Sequence, residues 1–349
     1  MGGQMPNPFT TGGKWLKGSL HCHTTNSDGT LSPTEVLRIY RENGYDFVAI
    51  TDHGKVTKVV QERENMLPIS GKESSVGTSR AGESYHIVGI GMEGNMNLAD
   101  DSGPGAAERT IDAIVDQGGL AFIAHPYWSG LVTEDMAGLK GHHGIEIFNT
   151  GCEAEVGKGF STVHWDQLLS LGEMMNGIAV DDAHRYVYPP YDAMGGWVWV
   201  KADELNRECV MKALRGGSFY SSMGPKIVLM EIGHTLKVKC SCAKQVSMIS
   251  HNGSGMVVDY PTVKSIIESR RSETGEKTDG VISAVDIEDV DGGVETKITL
   301  RNGRKIRGIS SNEGMIEAEC DLEFFNRYVR IEVVDSENRK AWTNPVLIK

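Results

Sequence analysis

The chain has 349 residues, with the 39% hydrophobic and 23% charged content of an ordinary globular protein. Its formal net charge of −12 argues against a broad nucleic-acid-binding face, although a local basic pocket for one phosphate remains compatible with it. The six cysteines show no disulfide-framework spacing. No apolar run resembles a signal peptide or approaches the ~20 residues that span a bilayer. We therefore expect a cytoplasmic protein with reduced thiols and no membrane partner.

The first part of the chain alternates apolar runs with helical patterns. Trp15–Leu20 is a predicted strand, and Ser32 to Glu35 forms a capping box with proline at the first helical position. That helix should end at Gly44, before the buried strand Phe47–Ile50. Further strands are predicted at His86–Gly91, Leu120–Ala124, Gly144–Phe148, Gly177–Val180 and Trp197–Lys201, and further helices at Ala107–Gln117, Trp165–Leu171 and from the cap Asp203 to Arg215.

Such alternation predicts an α/β fold with a parallel sheet covered by helices. About seven strand–helix units fit, so the expected architecture of residues 15–218 is a distorted (β/α)7 barrel behind an N-terminal extension, residues 1–14. Residues 219–349 should form a C-terminal, sandwich-like β-domain, because short strand patterns there alternate with Gly- and Asn-rich turns. Its predicted strands are Ile227–Ile232, Leu236–Cys240, Thr296–Leu300, Lys305–Ile309 and Tyr328–Val334, with Pro261–Asp279 as a polar insertion.

Histidines and aspartates recur at the ends of the predicted strands. His21 and His23 are two residues apart, so both imidazoles share one face of an extended segment, and Asp182 and His184 repeat that spacing. Either pair alone is also compatible with ordinary surface or core residues. The accumulation at five strand ends favours metal binding, because ions satisfy many buried polar groups together. The five ends carry His21 with His23, Asp52 with His53, His86, His125, and Asp182 with His184.

In their order along the chain, these motifs resemble the PHP (polymerase and histidinol phosphatase) superfamily. The likeness covers residues 15–217 and rests on HCHTTNSDGTLSP, AITDHG, Gly71-Lys72-Glu73, HIVGIG, AHP and DAH. The carbaryl hydrolase-like (CehA/McbA) branch is also similar, through GYDFVAITDH, AHPYWSG, GIEIFNTG, AVDDAH, FYSSMGP and AWTNP. The last two segments lie in residues 219–349, so the resemblance extends to the β-domain.

The resemblance implies two or three divalent ions. His21, His23, Glu73 and Asp182 would hold the first, Glu73 would bridge to a second completed by His86 and His125, and Asp28, His53 and His184 would hold a third. Imidazole and carboxylate donors without thiolate suit Zn, Mn or Fe. A carboxylate bridge places two ions ~3.5–4 Å apart and acidifies the water between them, so a metal-bridging hydroxide is the expected nucleophile. The catalytic residues that the resemblance implies are His21, His23, Glu73, Asp182 and His184.

For two of these predicted ligands, the sequence also allows an interpretation without metal binding. Glu73 lies in a predicted polar loop in which Glu83 competes for the role, and Asp28 is compatible with a simple turn residue. Arg185 and Lys55 follow ligand motifs and are candidates for holding a substrate anion, although solvated surface roles fit them equally. Tyr127 and Trp128 are candidates for an apolar pocket wall, with packing as the alternative.

The function expected first is hydrolysis of a small phosphorylated ester, with no nucleic-acid polymer as partner. The alternatives are a carboxylic or carbamic aryl ester hydrolase, and a non-catalytic binding protein with a structural metal site. Two or more Arg, Lys or His side chains converging on the metals would favour phosphate, whereas an aromatic, uncharged wall would favour an aryl ester. The oligomeric state stays open.

Overall fold

The computed structural model describes residues 7–59, 65–94, 103–271 and 281–348. The chain divides into two compact units, one comprising Gly12–Ser221 and the other Ser222–Lys349 together with residues 7–11 of the N-terminal segment. The first six residues of the predicted extension 1–14 lie outside the described part. Within the described ranges, no helix has the length and apolar character that a membrane crossing needs.

The first unit is an α/β fold built on one large sheet. Its strands are β1 (Lys14–Ser19), β2 (Phe47–Ile50), β3 (Leu67–Val76), β4 (Tyr85–Ile90), β5 (Leu120–Ile123), β6 (Gly144–Asn149), β7 (Asn176–Val180), β8 (Trp197–Ala202) and β9 (Phe219–Ser222). Its helices are α1 (Pro33–Glu42), α2 (Ala106–Asp116), α3 (Thr133–Met136), α4 (Thr150–Val156), α5 (Thr162–Ser170) and α6 (Arg207–Arg215). Most predicted elements are present, with ends shifted by a few residues.

The sheet order is β9-β8-β1-β2-β3-β4-β5-β6-β7. Strands β1 to β3 run parallel, as do β5 to β7, but β4 is antiparallel to both of its neighbours and β8 is antiparallel to β1. The expectation of a parallel sheet therefore holds within β1–β3 and within β5–β7, and it is wrong for β4 and β8. Only residues 77–84 connect β3 to β4, and a parallel crossover needs about a dozen residues or more.

The ends of β1 and β7 come together just beyond the two strands. Cys22 and Ala183 form a parallel bridge, in which the His23 N–H donates to Ala183 O at 2.9 Å and the Asp182 N–H donates to His21 O at 3.0 Å. A closed seven-unit barrel stays a prediction. A single buried cluster collects side chains from β1 to β5, β7 and β8, including Leu16, Phe47, Phe122, Val180 and Val198.

Local signals at helix ends explain which boundaries were predictable. The Ser32 side chain accepts from the Glu35 N–H while the Glu35 carboxylate accepts from the Ser32 N–H at 2.9 Å, so the predicted capping box is confirmed. Gly44 follows α1 with φ of 75°, the left-handed conformation that glycine adopts freely. The predicted cap Asp203 is wrong, because Asn206 caps α6 by accepting from the Cys209 N–H at 2.8 Å.

The second unit contains two antiparallel sheets. Its elements are β10 (Ile227–Ile232), β11 (Thr235–Ala243), β12 (Gln245–Ser250), β13 (Gly255–Asp259), α7 (Tyr260–Arg271), β14 (Ile282–Val290), β15 (Gly293–Leu300), β16 (Lys305–Ser310), β17 (Met315–Asp321), β18 (Tyr328–Val334), β19 (Lys340–Thr343) and β20 (Val346–Leu347). One sheet has the order β10-β11-β17-β16-β15-β14, and the other has the order β13-β12-β18-β19 with β20 on β18. The five predicted strands are confirmed. Helix α7 occupies the start of the predicted polar insertion, whose residues 272–279 lie outside the described part.

Candidate metal centre

The sheet places histidines and carboxylates from separate strands at one edge. His21 and His23 follow β1, His125 follows β5, and Asp182 and His184 follow β7. His86 lies at the start of β4 rather than at an end, but the antiparallel direction of β4 brings its start to the same edge. Glu73 lies inside β3 and not in the polar loop that the sequence predicted. Buried and partly exposed residues alternate along most of β3, but its polar composition does not indicate a strand.

The first group of side chains contains His21, His23, Glu73 and Asp182, and all four are buried. Glu73 Oε2 lies 3.2 Å from His21 Nε2 and 3.1 Å from His23 Nε2. Asp182 Oδ1 lies 3.1 and 3.0 Å from the same two nitrogens. Two imidazole nitrogens and two carboxylate oxygens therefore converge on one point.

A second group faces the other oxygen of Glu73. Glu73 Oε1 lies 2.7 Å from His86 Nδ1 and 3.2 Å from His125 Nε2. One carboxylate thus presents a different oxygen to each of two groups of histidines. A carboxylate placed in this way could serve two cations at once, one on each oxygen.

The third group is more open than the other two. It contains His23, Asp28, His53 and His184. Asp28 lies 3.5 Å from His184 Nε2 and 3.7 Å from His53 Nε2, and its side chain is 56% exposed. The His184 ring stacks on that of His23 with a centroid separation of 4.0 Å. The structure thus brings all nine sequence-predicted ligands into three adjoining groups.

The donor atoms of the first group fit a cation better than they fit one another. His21 Nε2 and His23 Nε2 lie 3.1 Å apart. Asp182 Oδ1 is buried and makes no hydrogen bond, although both nitrogens are near it. Buried polar atoms are nearly always satisfied, and a divalent ion among these four donors would satisfy them together.

The electrostatics of the first group also favour a bound cation. Burial alone would lower the pKa of His21, but the carboxylates of Asp182, Glu146 and Glu73 outweigh it and hold that pKa well above the ordinary value. The same competition raises the pKa of His23 to about 9, through Asp182 and Glu73. The neighbouring imidazoles hold the pKa of Glu73 and of Asp182 well below the usual range against the opposing effect of burial. The negative charge of the carboxylates therefore stabilises positive charge at this site, whether that charge is a proton on an imidazole or a bound cation.

A cavity of about 450 Å³ opens onto the three groups. Of the predicted substrate contacts, Arg185 and Trp128 line it, whereas Lys55 and Tyr127 do not. The Trp128 ring packs edge-on against His125 with a centroid separation of 5.0 Å. Arg185 Nη2 lies 3.9 Å from Glu155 Oε1, and Glu155 also lines the cavity.

Sequence reasoning missed one residue that shapes this site. The Asp192 carboxylate accepts hydrogen bonds at 2.8 Å from the backbone N–H groups of His184, Arg185 and Tyr186. It therefore holds the segment that carries a predicted ligand and the pocket arginine. Its surroundings in the sequence, a Tyr- and Pro-rich loop, contain no spacing that indicates this role.

Fold and site together define an α/β protein with a candidate metal centre of histidines and carboxylates. The uncharacterized protein MJ1587 of Methanocaldococcus jannaschii is 30% identical over 123 residues, covering 32% of this chain and 68% of that protein. The chain therefore belongs to the same family as MJ1587. No family model matches the chain.

Two further relatives are similar over shorter shares of their length. A 5'-3' exoribonuclease of Haemophilus influenzae is 27% identical over 152 residues, which cover 41% of this chain and 55% of that protein. The DNA polymerase/3'-5' exonuclease PolX of Bacillus subtilis is 46% identical over 44 residues, 13% of this chain and 8% of that protein. The chain thus spans about half of the exoribonuclease and a small part of the polymerase.

Two solved structures resemble the chain at low sequence identity. A two-domain protein of Bacteroides vulgatus, described as containing a predicted PHP-like metal-dependent phosphoesterase, has a TM-score of 0.49 and 15% identity, covering 99% of this chain and 98% of that one. An amidohydrolase of Chromobacterium violaceum has a TM-score of 0.36 and 19% identity, covering 50% of this chain and 89% of that one.

Proposed function

We propose that the protein is a PHP-type metal-dependent phosphoesterase of the carbaryl hydrolase-like branch. The observation that carries the proposal is the position of Glu73, whose two oxygens face two different pairs of histidines. A carboxylate so placed suits a hydrolytic centre of two divalent ions. The third group adds one more position, and the donor set suits Zn, Mn or Fe.

Each of the three groups would bind one ion. His21, His23, Glu73 and Asp182 would hold the first, Glu73 with His86 and His125 the second, and Asp28, His53 and His184 the third. Bound ions would supply an acidified water at neutral pH and neutralise charge on the ester oxygens. The His184 Nδ1–H donates to the backbone O of Asp182 at 2.9 Å, which leaves Nε2 free to act as a ligand.

Arg185 would bind a non-bridging oxygen of the phosphate, because it is the arginine in the cavity wall. Trp128 would contact the leaving group on the side of the second pair of histidines. Lys55 and Tyr127 would act only on a substrate that extends beyond the cavity. Two of the relatives are nucleases by name, which supports phosphate ester chemistry, and a small phosphorylated ester is the substrate class proposed here.

The test is an activity panel on protein loaded with Mn²⁺ or Zn²⁺ and of measured metal content. The substrates are p-nitrophenyl phosphate, bis-p-nitrophenyl phosphate, p-nitrophenyl acetate and a short single-stranded RNA. We expect turnover of a phosphate ester, and loss of both turnover and metal in His21→Ala. Full metal occupancy without turnover of any phosphate ester would contradict the proposal and favour the binding-protein hypothesis.

One observation supports a carboxylic or carbamic aryl ester as the second candidate. Trp128 puts an aromatic surface in the cavity wall, and it is 39% exposed there. The two candidates separate in the variants Arg185→Gln and Trp128→Ala. If phosphate is the substrate, Arg185→Gln should raise the KM by roughly 10-fold or more, since a hydrogen bond to a charged group contributes about 1.5–3 kcal/mol. Faster turnover of an aryl carboxylic ester, unaffected by Arg185→Gln but impaired by Trp128→Ala, would favour the second candidate.

A further inference from the structure

Glu146 lies in β6 behind the metal centre and is completely buried. Its Oε1 lies 2.6 Å from His21 Nδ1. Its Oε2 accepts from the backbone N–H of His125 at 2.8 Å and from Asn149 Nδ2 at 2.9 Å. Among the described residues, the groups able to hold a metal do not include Glu146, so it contacts predicted ligands without being one.

Asn149, which also lies in β6, extends this network to the segment that follows β7. Its Nδ2 also donates to Asp182 Oδ2 at 3.1 Å, while its Oδ1 caps α4 by accepting from the Cys152 N–H at 2.9 Å. The cap fixes the side-chain rotamer, so the amide hydrogens can only point towards the two carboxylates. Asp182 Oδ2 is thereby occupied, and Oδ1 is the oxygen left facing His21 and His23.

The network reaches two residues with unusual backbone conformations. His125 and Asp182 have φ of 28° and 55°, which side-chain-bearing residues rarely adopt. Glu146 bonds the backbone of the first, and Asn149 bonds the side chain of the second. Surrounding contacts must hold such conformations, and these two bonds are among the contacts that each residue makes.

We propose that Glu146 and Asn149 form a positioning pair that sets the His21 tautomer and aims Asp182 and His125 at the two ion positions. The inference rests on the proposed function, because it concerns the same metal centre. Glu146 accepts the Nδ1–H of His21, so Nε2, which faces Glu73 and Asp182, is the nitrogen that an ion would bind. A carboxylate behind a histidine ligand fixes its ring and raises its basicity, and its removal lowers metal affinity by about 10–100-fold.

The isosteric variant Glu146→Gln tests the tautomer directly. Glutamine has one acceptor oxygen, and two of the three donors, the His125 N–H and Asn149 Nδ2, lie on the Oε2 side. The oxygen will therefore turn to that side, and the amide NH2 will face His21. The proton of His21 then moves to Nε2 and points into the first group.

The measurement is ion affinity by competition with a chromophoric chelator, using Zn²⁺ alone and the full-length chain. We expect Glu146→Gln to weaken binding of one ion by about 10–100-fold, and ¹⁵N-histidine NMR to show the His21 proton on Nε2. Asp181→Asn is the matched control, because it also removes a buried carboxylate beside the site but touches no side chain of a predicted ligand. It should keep wild-type affinity.

A second variant covers the case in which Glu146→Gln does not fold. Asn149→Ser retains an oxygen that can cap α4 and removes the amide that joins the two carboxylates, so it should also weaken zinc binding by about 10-fold or more. Wild-type affinity in both variants, or equal loss in Asp181→Asn, would overturn the inference. Ester turnover plays no part in this readout. An intact protein that binds zinc but hydrolyses nothing would therefore refute the proposed function alone.

Discussion

Asp181 stands next to the predicted ligand Asp182, yet the structure gives it a purely structural task. Its side chain is fully buried, and the groups that hydrogen-bond to its carboxylate belong to none of the predicted ligands. Oδ1 accepts three hydrogen bonds and Oδ2 accepts two, at 2.8–3.0 Å. The donors are the hydroxyls of Thr150 and Tyr40 and the backbone N–H groups of Met194, Gly195 and Gly196.

The variant Asp181→Asn should destabilise the first unit. An asparagine oxygen can retain the three donors on the Oδ1 side, which leaves its NH2 facing Tyr40 and Met194. The Tyr40 hydroxyl can rotate to accept, but the Met194 N–H then loses its acceptor, and the remaining bonds lose their charge assistance. Relief from burying a charge offsets part of this, because burial raises the pKa of Asp181. We expect a net loss of about 2–4 kcal/mol.

The assay is differential scanning calorimetry of wild type, Asp181→Asn and Asp182→Asn, with metal content measured on the same samples. For a unit of this size, a loss of that magnitude lowers the melting temperature by about 5–15 °C. Asp181→Asn should melt early and retain its metal, whereas Asp182→Asn should lose metal. The reasoning is refuted if Asp181→Asn melts at the wild-type temperature, or if it loses metal as completely as Asp182→Asn.

Three further predictions concern the first unit. Burial lowers the pKa of His143 to about 4, and its Nδ1 accepts from the Ala121 N–H. As the pH falls, His143 is therefore protonated near pH 6.5 in the unfolded chain but only near pH 4 in the native chain. The free energy of unfolding consequently decreases from about pH 6.5 to about pH 4. Between pH 7 and 5, His143→Gln should lose about 2 kcal/mol less than wild type in urea titrations; equal losses would count against this. Ser32→Ala removes the α1 capping box and should cost about 1 kcal/mol, measurable in the same titrations, where an unchanged midpoint would show the cap to be dispensable. Gly18→Ala would put a Cβ 2.0 Å from the Phe47 ring and should cost about 1–3 kcal/mol by overpacking; wild-type melting would refute the close packing.

The sequence predicted those features whose signals are local. Ser32 and Glu35 are three residues apart, and His21 and His23 are two apart, so helix start and shared face follow from spacing alone. The ligand sets came from the resemblance, because no local pattern ties Glu73 to His86 or to His125.

The features that sequence reasoning missed depend on tertiary structure. Glu73 lies in β3, whose polar composition is typical of a loop. The segment forms a strand because its pairing with β2 and β4 outweighs that composition. Because β4 runs antiparallel to its neighbours, its first residues, which include His86, lie at the edge of the sheet that carries the site. Asp192 accepts hydrogen bonds from three backbone N–H groups through a loop conformation that no spacing in the sequence indicates.

The central claim is that one carboxylate, Glu73, serves two ion positions. The most direct test counts bound ions per chain by mass spectrometry of metals, in wild type and in the isosteric variant Glu73→Gln, after equilibration with Zn²⁺ or Mn²⁺ and removal of free ion. The account predicts at least two ions per wild-type chain, and loss of the paired ions in Glu73→Gln with the fold retained. Fewer than two ions in wild type, or an unchanged count in Glu73→Gln, would contradict it.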